Sequence, residues 1–273
     1  MPYLDFHCHT EFSFDSESSP DVLCQTAIAR GIRHLAFTDH CDLDCILDGL
    51  YEEYDFSGSE KSVKEMREKY GDKLKVSRGI ELGEPHVYPE EAKRTVEERH
   101  FDFVLGSLHN LRGVPDFSFI DFKKMPQALI DSLVKRNFCE LCEIAELPFV
   151  NAIAHVTYPL RYIRRCGRNA DVWLCEDTIR RLFTTVAESG KALEVNTSPL
   201  RRGGNFTMPD RELLKLYREC GGSLVTVGSD AHLTEDVGAN IDDALAMLDS
   251  LGFETVSVFG ESGREDIKIK SLL

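Results

Sequence analysis

The sequence predicts an α/β fold in which parallel strands close into a barrel, and three observations lead there. Seven short runs rich in apolar, β-branched or aromatic residues recur along the 273 residues: Tyr3–Phe6, His34–Thr38, Lys75–Ile80, Phe103–Ser107, Asn151–Ala154, Ala192–Asn196 and Leu224–Val227. Helical patterns separate most of them, and strands alternating with helices imply a parallel sheet. Nearly every run leads into an imidazole or carboxylate. In a parallel barrel all strand C-termini meet at one face, so these side chains would converge although they lie more than 200 positions apart.

The first run leads into His7 and His9. Alternate residues of an extended strand share a face, so both imidazoles can reach one ion, while Cys8 between them points away. Pro20 to Arg30 carries Val22, Leu23, Ala27 and Ile28 at helical spacing. Ser19 as a cap, Pro20 in the first turn and Gly31 beyond the end mark its limits. The second run leads into Asp39 and His40. Asp44 to Ser59 is acidic, aromatic and irregular, and reads as a loop over the site entrance. The third run ends at Glu81, and the fourth leads to His109 and a second insertion, Leu111 to Phe122.

Leu129 to Glu146 has helical periodicity and contains Cys139-x-x-Cys142. Without a second cysteine pair, these are two small core residues one turn apart. The fifth run meets His155. Helices over Asp177–Ser189 and Pro209–Cys220 end at Gly190 and Gly221, and the seventh run leads into Asp230 and His232. Thr255–Phe259 is an eighth apolar run with no ligand at its end, which either closes the sheet or sits outside it. With no linker, repeat or low-complexity stretch, residues 1–273 read as one domain.

Composition narrows the function. Hydrophobic residues make up 42% and charged residues 29%, as in a globular chain. There is no apolar run of about 18 residues and no basic segment followed by an apolar one at the start; the expectation is a cytoplasmic protein that does not span a membrane. A formal net charge of −15 argues against a nucleic-acid partner. It does not exclude a small anionic substrate, because bound dications invert the local field. Nine cysteines, an odd number, are expected as reduced thiols. Phosphate-loop, dinucleotide-binding and nucleophile-elbow patterns are missing from the sequence. Oligomeric state is not legible.

Six of the nine histidines (His7, His9, His40, His109, His155 and His232) fall at or just beyond strand ends. Imidazole with carboxylate suits Zn, Mn or Fe, and a carboxylate such as Glu81 can bridge two ions. Ser229-Asp230-Ala231-His232 repeats the spacing of His7-Cys8-His9 with a carboxylate first. The ordered set His7-Cys8-His9-Thr10, Thr38-Asp39-His40, Gly79-Ile80-Glu81, Ser107-Leu108-His109, Ala154-His155 and Ser229-Asp230-Ala231-His232 resembles the PHP (polymerase and histidinol phosphatase) superfamily. The resemblance runs from residue 3 to about residue 240. It implies a distorted (β/α)7 barrel, similar to a TIM barrel, with two to three divalent ions at the strand C-termini and phosphate esters as substrates.

Carried over by position, the resemblance implies one ion on His7, His9, Glu81 and Asp230, a second on Glu81, His109 and His155, and a third on Asp15, His40 and His232. Asp39 is expected to hydrogen-bond an imidazole rather than ligate. A water between two dications would lose a proton near neutral pH and supply the nucleophile, and the ions would spread transition-state charge. Glu81, Asp230 and His232 are the expected catalytic residues. Arg161 and Arg201, from two arginine-rich segments after the fifth and sixth runs, are expected to hold phosphoryl oxygens bidentately, with Asn196 beside them. Chain length and Glu194-Val195-Asn196-Thr197-Ser198 resemble the histidinol-phosphatase branch, which implies hydrolysis of L-histidinol phosphate. Asp42, Asp44 and Tyr51 are candidates for the leaving group. The alternatives are a phosphoesterase acting on nucleotides, oligonucleotide ends or another phosphomonoester, and a non-catalytic, metal-stabilised binding module.

Overall fold

The computed structural model describes residues 3–201 and 203–273. Arg202, in the second arginine-rich segment, lies outside the described residues. All seven predicted runs form strands of one sheet. They are β1 (Leu4–Cys8), β2 (His34–Phe37), β4 (Lys75–Gly83), β5 (Phe103–Ser107), β6 (Ala152–Ile153), β7 (Ala192–Asn196) and β8 (Val225–Gly228). Neighbours pair in parallel in that order. A short β3 (His40–Asp42) pairs with the far half of β4, placing His40 opposite Glu81. Every residue of β1, β2, β5, β7 and β8 is buried, as expected for strands covered on both faces. The sheet is nearly closed into a barrel with helices around it, in agreement with the predicted class.

The closure runs between first and last strands and is not a continuous ladder. Asp230 N donates to His7 O at 2.8 Å, and His9 N to Ala231 O at 2.8 Å. Beneath them the buried Asp5 carboxylate accepts from Ser229 N at 2.8 Å, Ser229 Oγ at 2.5 Å and Gly238 N at 2.7 Å. Burial pushes that carboxyl's pKa up, and the Ser229 and Gly238 donors oppose the shift. Asp5 thus joins β1 to the chain after β8.

The eighth run lies outside the barrel. β9 (Thr255–Gly260) pairs antiparallel with β10 (Gly263–Lys268) in a sheet of two strands. Its apolar character is spent near the N-terminal ends of β4 and β5. The Phe259 ring stacks on Phe103 at 4.7 Å, and the Ser77 hydroxyl donates to the Phe259 carbonyl.

The predicted helices form with small shifts of boundary. Gln127–Glu146 buries Ile130, Leu133, Val134, Phe138, Leu141 and Ala145, a stripe at spacings of three and four. Cys142 is buried, Cys139 half-buried, and both are free thiols. Pro20–Ala29 starts at its proline, but Ser19 makes no side-chain cap bond, contrary to expectation. Arg211–Glu219 is capped by Asp210, whose carboxylate accepts from Leu213 N at 3.2 Å. The entrance segment is less irregular than predicted: Leu43–Leu47 is helical, and Asp55 caps the helix Phe56–Tyr70. Among the described residues, no helix is long and apolar enough to cross a membrane.

Candidate metal centre

At the open end of the barrel the strand ends deliver their side chains to one place. His7 and His9 project to the same side of β1. Cys8 points the other way, buried with its sulfur 3.8 Å from Ser229 Oγ. Asp230 sits just past β8 with φ 56°, a left-handed backbone that an aspartate tolerates better than most residues. That turn aims its carboxylate back across the seam at β1.

Glu81 is the centre of the arrangement. Its Oε2 lies 3.1 Å from His7 Nε2, 3.5 Å from His9 Nε2 and 3.0 Å from His40 Nδ1. Its Oε1 lies 3.0 Å from His109 Nε2 and 2.8 Å from His155 Nε2. Asp230 Oδ1 completes the first group, 3.8 Å from His7 Nε2 and 3.4 Å from His9 Nε2. Asp15 is 3.1 Å from His232 Nε2 through Oδ2 and 3.7 Å from His40 Nε2 through Oδ1, and His9 belongs to the same group. The structure therefore brings together all nine residues expected as ligands. It also shows a grouping the sequence did not: Asp42 Oδ1 lies 3.4 Å from His109 Nδ1 and 4.0 Å from His40 Nδ1.

These residues fit divalent ions. Donor atoms sharing an ion at about 2 Å lie about 3 Å apart, which is the spacing here. His9 Nε2 is buried without a hydrogen-bond partner, although two carboxylates face it. An unpaired buried nitrogen is costly in a folded protein, and an ion among these atoms would remove that cost. Burial, with the neighbouring His232 and His40, holds the His9 pKa well below the ordinary value, so its ring is neutral and offers a lone pair. Burial would raise the Glu81 and Asp230 carboxyls, but the imidazoles around them hold both well below the usual range. Asp15 falls to about 2: burial opposes the shift, and His232, His40 and His9 outweigh it. All three acids stay ionised, ready to ligate.

Supporting contacts fix these rings, and sequence reasoning missed the most important one. Glu194 Oε1 lies 2.5 Å from His7 Nδ1, and its Oε2 accepts from His155 N at 2.7 Å. One buried carboxylate thus orients the ring of His7 and the backbone at His155. The signal was present: an acid in the middle of an apolar strand needs a buried partner. Glu84 (φ 47°) accepts from the N–H of His109 at 2.5 Å and of Asn110 at 3.1 Å. Asp39 does not reach an imidazole as expected. It accepts from Thr10 N and Ser13 Oγ, and Ser13 Oγ in turn meets His9 Nδ1 at 3.0 Å.

The cluster floors a cleft of about 360 Å³ whose walls include Arg161, Tyr158, Tyr162, Tyr51, Phe14 and Asp116. Arg161 rests on the Tyr158 and Tyr162 rings at 4.8 and 4.9 Å, with Nη1 3.6 Å from Asp230 Oδ2. The other two expected phosphate-binding residues do not face the cleft. Arg201 donates to the carbonyls of Ser229 and Asp230 and pairs with Asp236 at 2.9 Å. It braces the left-handed turn at Asp230. Asn196 is buried against Glu194 and accepts from Ser198 N at 3.0 Å. Among the leaving-group candidates, Tyr51 lines the cleft, Asp42 faces imidazoles, and Asp44 instead accepts from Asn110 Nδ2 at 2.9 Å.

Comparison with known proteins adds independent findings. The family model of the PHP domain matches residues 5–198. A histidinol-phosphatase of Lactococcus lactis subsp. lactis is 24% identical over 266 residues, covering 95% of each chain. A probable histidinol-phosphatase of Thermotoga maritima is 27% identical over 261 residues, covering 94% of this chain and 96% of the relative. Among solved structures, the histidinol phosphate phosphatase of Lactococcus lactis subsp. lactis, complexed with zinc, L-histidinol and phosphate, superposes with a TM-score of 0.80. Identity there is 21%, and the alignment covers 97% of this chain and 99% of that one. A putative histidinol phosphatase from Listeria monocytogenes has a TM-score of 0.77 at 17% identity, with 88% and 99% covered.

Proposed function

The chain belongs to the PHP domain family, and from that premise we propose that it is a metal-dependent histidinol-phosphatase, hydrolysing L-histidinol phosphate to L-histidinol and phosphate. The observation that carries the reading is the position of Glu81, with one carboxylate oxygen toward His7 and His9 and the other toward His109 and His155, on the floor of a cleft that holds Arg161. Full-length similarity to histidinol-phosphatases supports the choice of substrate.

The residues that would hold divalent ions, two or three of Zn, Mn or Fe, are His7, His9, Glu81 and Asp230, then Glu81, His109 and His155, then Asp15, His40 and His232. Bound there, such ions supply Lewis-acid polarisation of phosphoryl oxygens and acidify coordinated water. Arg161 holds the phosphoryl group with a guanidinium already oriented by two tyrosine rings, so little rotamer freedom is lost on binding. Asp230, between three imidazoles and Arg161, keeps that guanidinium turned into the cleft. His232 Nδ1 is 3.4 Å from Asp230 Oδ1, and its side chain is the more exposed of the two. Only where the third site holds no ion would its free imidazole pass a proton to the leaving alkoxide, with Asp230 facing its ring. The buried cluster and the edge-to-face pair of Tyr158 and Tyr162 keep bulk water from competing with these contacts.

The test is phosphate release from L-histidinol phosphate, p-nitrophenyl phosphate and AMP by protein of measured metal content. The expected kcat/KM for histidinol phosphate is about 10⁵ M⁻¹s⁻¹, far above the other two. Equal slow turnover of all three would replace this substrate with an unspecified phosphomonoester, and a preference for AMP would replace it with a nucleotide.

A further inference from the structure

Resting on the histidinol phosphate reading, we propose that Asp116 is the residue that selects a cationic leaving group, by pairing with the substrate's ammonium at the mouth of the cleft. The product alcohol carries a primary amine, protonated at neutral pH, so a selective site needs an anion that is not engaged by the metal ligands. The acids lining the cleft are Asp15, Asp42, Glu81, Asp116 and Asp230. Four of them face imidazoles: Asp15 meets His232, Asp42 meets His109, Glu81 meets both halves of the cluster, and Asp230 meets His7 and His9. Asp116 is the exception. Among the described residues it has no ion-pair partner, and Arg161, the cleft's cation, is directed at Asp230, Ser198 and Tyr162.

The segment carrying Asp116 is held in place. Leu111, Phe117 and Phe122 are fully buried anchors, and Phe117 N donates to His109 O at 3.1 Å. The carboxylate is therefore one residue from a hydrogen bond to a candidate metal ligand, and its position is fixed relative to the cluster. Asp116 Oδ1 accepts from Ser118 N at 2.5 Å, which orients the side chain. Its negative field reaches Tyr51 and Tyr158, both of which line the cleft. Phe14 and Phe119 line the same cleft with exposed rings, either of which can pack against the imidazole of the same leaving group. Phosphoryl-binding groups inside, a carboxylate outside and aromatic rings beside it match a phosphomonoester whose alcohol carries a cation and a ring.

The experiment compares D116N with the parent enzyme, both metal-loaded, on L-histidinol phosphate and p-nitrophenyl phosphate. Asparagine keeps an oxygen to cap Ser118 N, so the segment is preserved and only the charge is lost. The ratio of kcat/KM for the two substrates is expected to fall by about 10- to 100-fold, the worth of a hydrogen-bonded charge pair. Calorimetric binding of L-histidinol alone should weaken by the same factor. A ratio and an affinity that stay at the parental values overturn the role of Asp116 and leave the phosphatase assignment standing. A parent enzyme with no preference for histidinol phosphate overturns the substrate assignment, and the role of Asp116 with it.

Discussion

Glu194 ties two strand ends together, with Oε1 2.5 Å from His7 Nδ1 and Oε2 accepting from His155 N at 2.7 Å. Its neighbours in β7 alternate inward and outward, so an inward acid was legible; its partner, 187 positions away in His7, was not. Because Glu194 fixes the His7 ring from the far nitrogen, Glu194→Gln should weaken metal affinity by about 10- to 100-fold. Titration of metal-stripped protein with Zn or Mn under competition by a chelator measures this, and parental affinity would remove Glu194 from the support of the site. Most candidate ligands were readable because they lie at or just past the end of a buried strand whose direction is set by the sheet, whereas Asp15, in the turn after β1, came from the family resemblance alone. The contacts of Arg201 were not legible for the opposite reason. It lies in a short helix after β7, and the carbonyls it binds belong to a turn whose left-handed bend at Asp230 no pattern announces. Asp116 was passed over because the anchors that fix it, Leu111 and Phe117, look like scattered apolar residues in an insertion.

Among the elements, the seven strands and the four helices named from sequence were predicted closely because their periodicity is local, whereas Phe56–Tyr70, Pro89–Arg99, Tyr158–Arg165 and Ile241–Ser250 were not named. Contacts between elements were not predicted. The helix Gln127–Glu146 was expected from its apolar stripe alone, yet it also carries Glu140, which accepts from Arg112 N at 3.1 Å and Arg136 Nη2 at 3.1 Å and meets His86 Nε2 at 3.0 Å. Burial would raise this carboxyl's pKa, but His86, Arg112 and Arg136 hold it below its ordinary value of 4.5. A folded-state value below the unfolded one stabilises the protein above the unfolded pKa and is lost as pH falls through the folded one. Parent protein should thus melt higher than Glu140→Gln at neutral pH, with the gap closing as pH drops below about 4.5. Melting temperatures of the two across an acid series decide the matter. A gap independent of pH would mean that the glutamine loses packing rather than charge pairing.

For the molecule as a whole, the barrel and its chemistry at one end were the most legible features, since both follow from parallel order. The placement of β9 outside the barrel was left open by the sequence, because an apolar run does not say which surface it covers. A net charge of −15 surrounds a site with ionised Asp15, Glu81 and Asp230 at its centre. Divalent ions relieve that repulsion in the folded state and find no preformed site in the unfolded chain. Chelation should accordingly lower the melting temperature by about 10 °C, with recovery when the ion is restored. Identical melting with and without chelator would mean that no ion is held at the cluster.

The seam between β1 and β8 gives the molecule a direction in time. A ribosome releases His7 and His9 first, and Asp230 more than 200 residues later. Until then Asp5 lacks Ser229 and Gly238, and the first strand has one hydrogen-bonded neighbour in place of two. A nascent or truncated chain can assemble the middle of the sheet, but the half of the centre that rests on β1 waits for the last parallel strand. Contacts of such long sequence separation are slow to form, so an intact centre is evidence that the chain has been made past β8 and has folded back onto its own beginning.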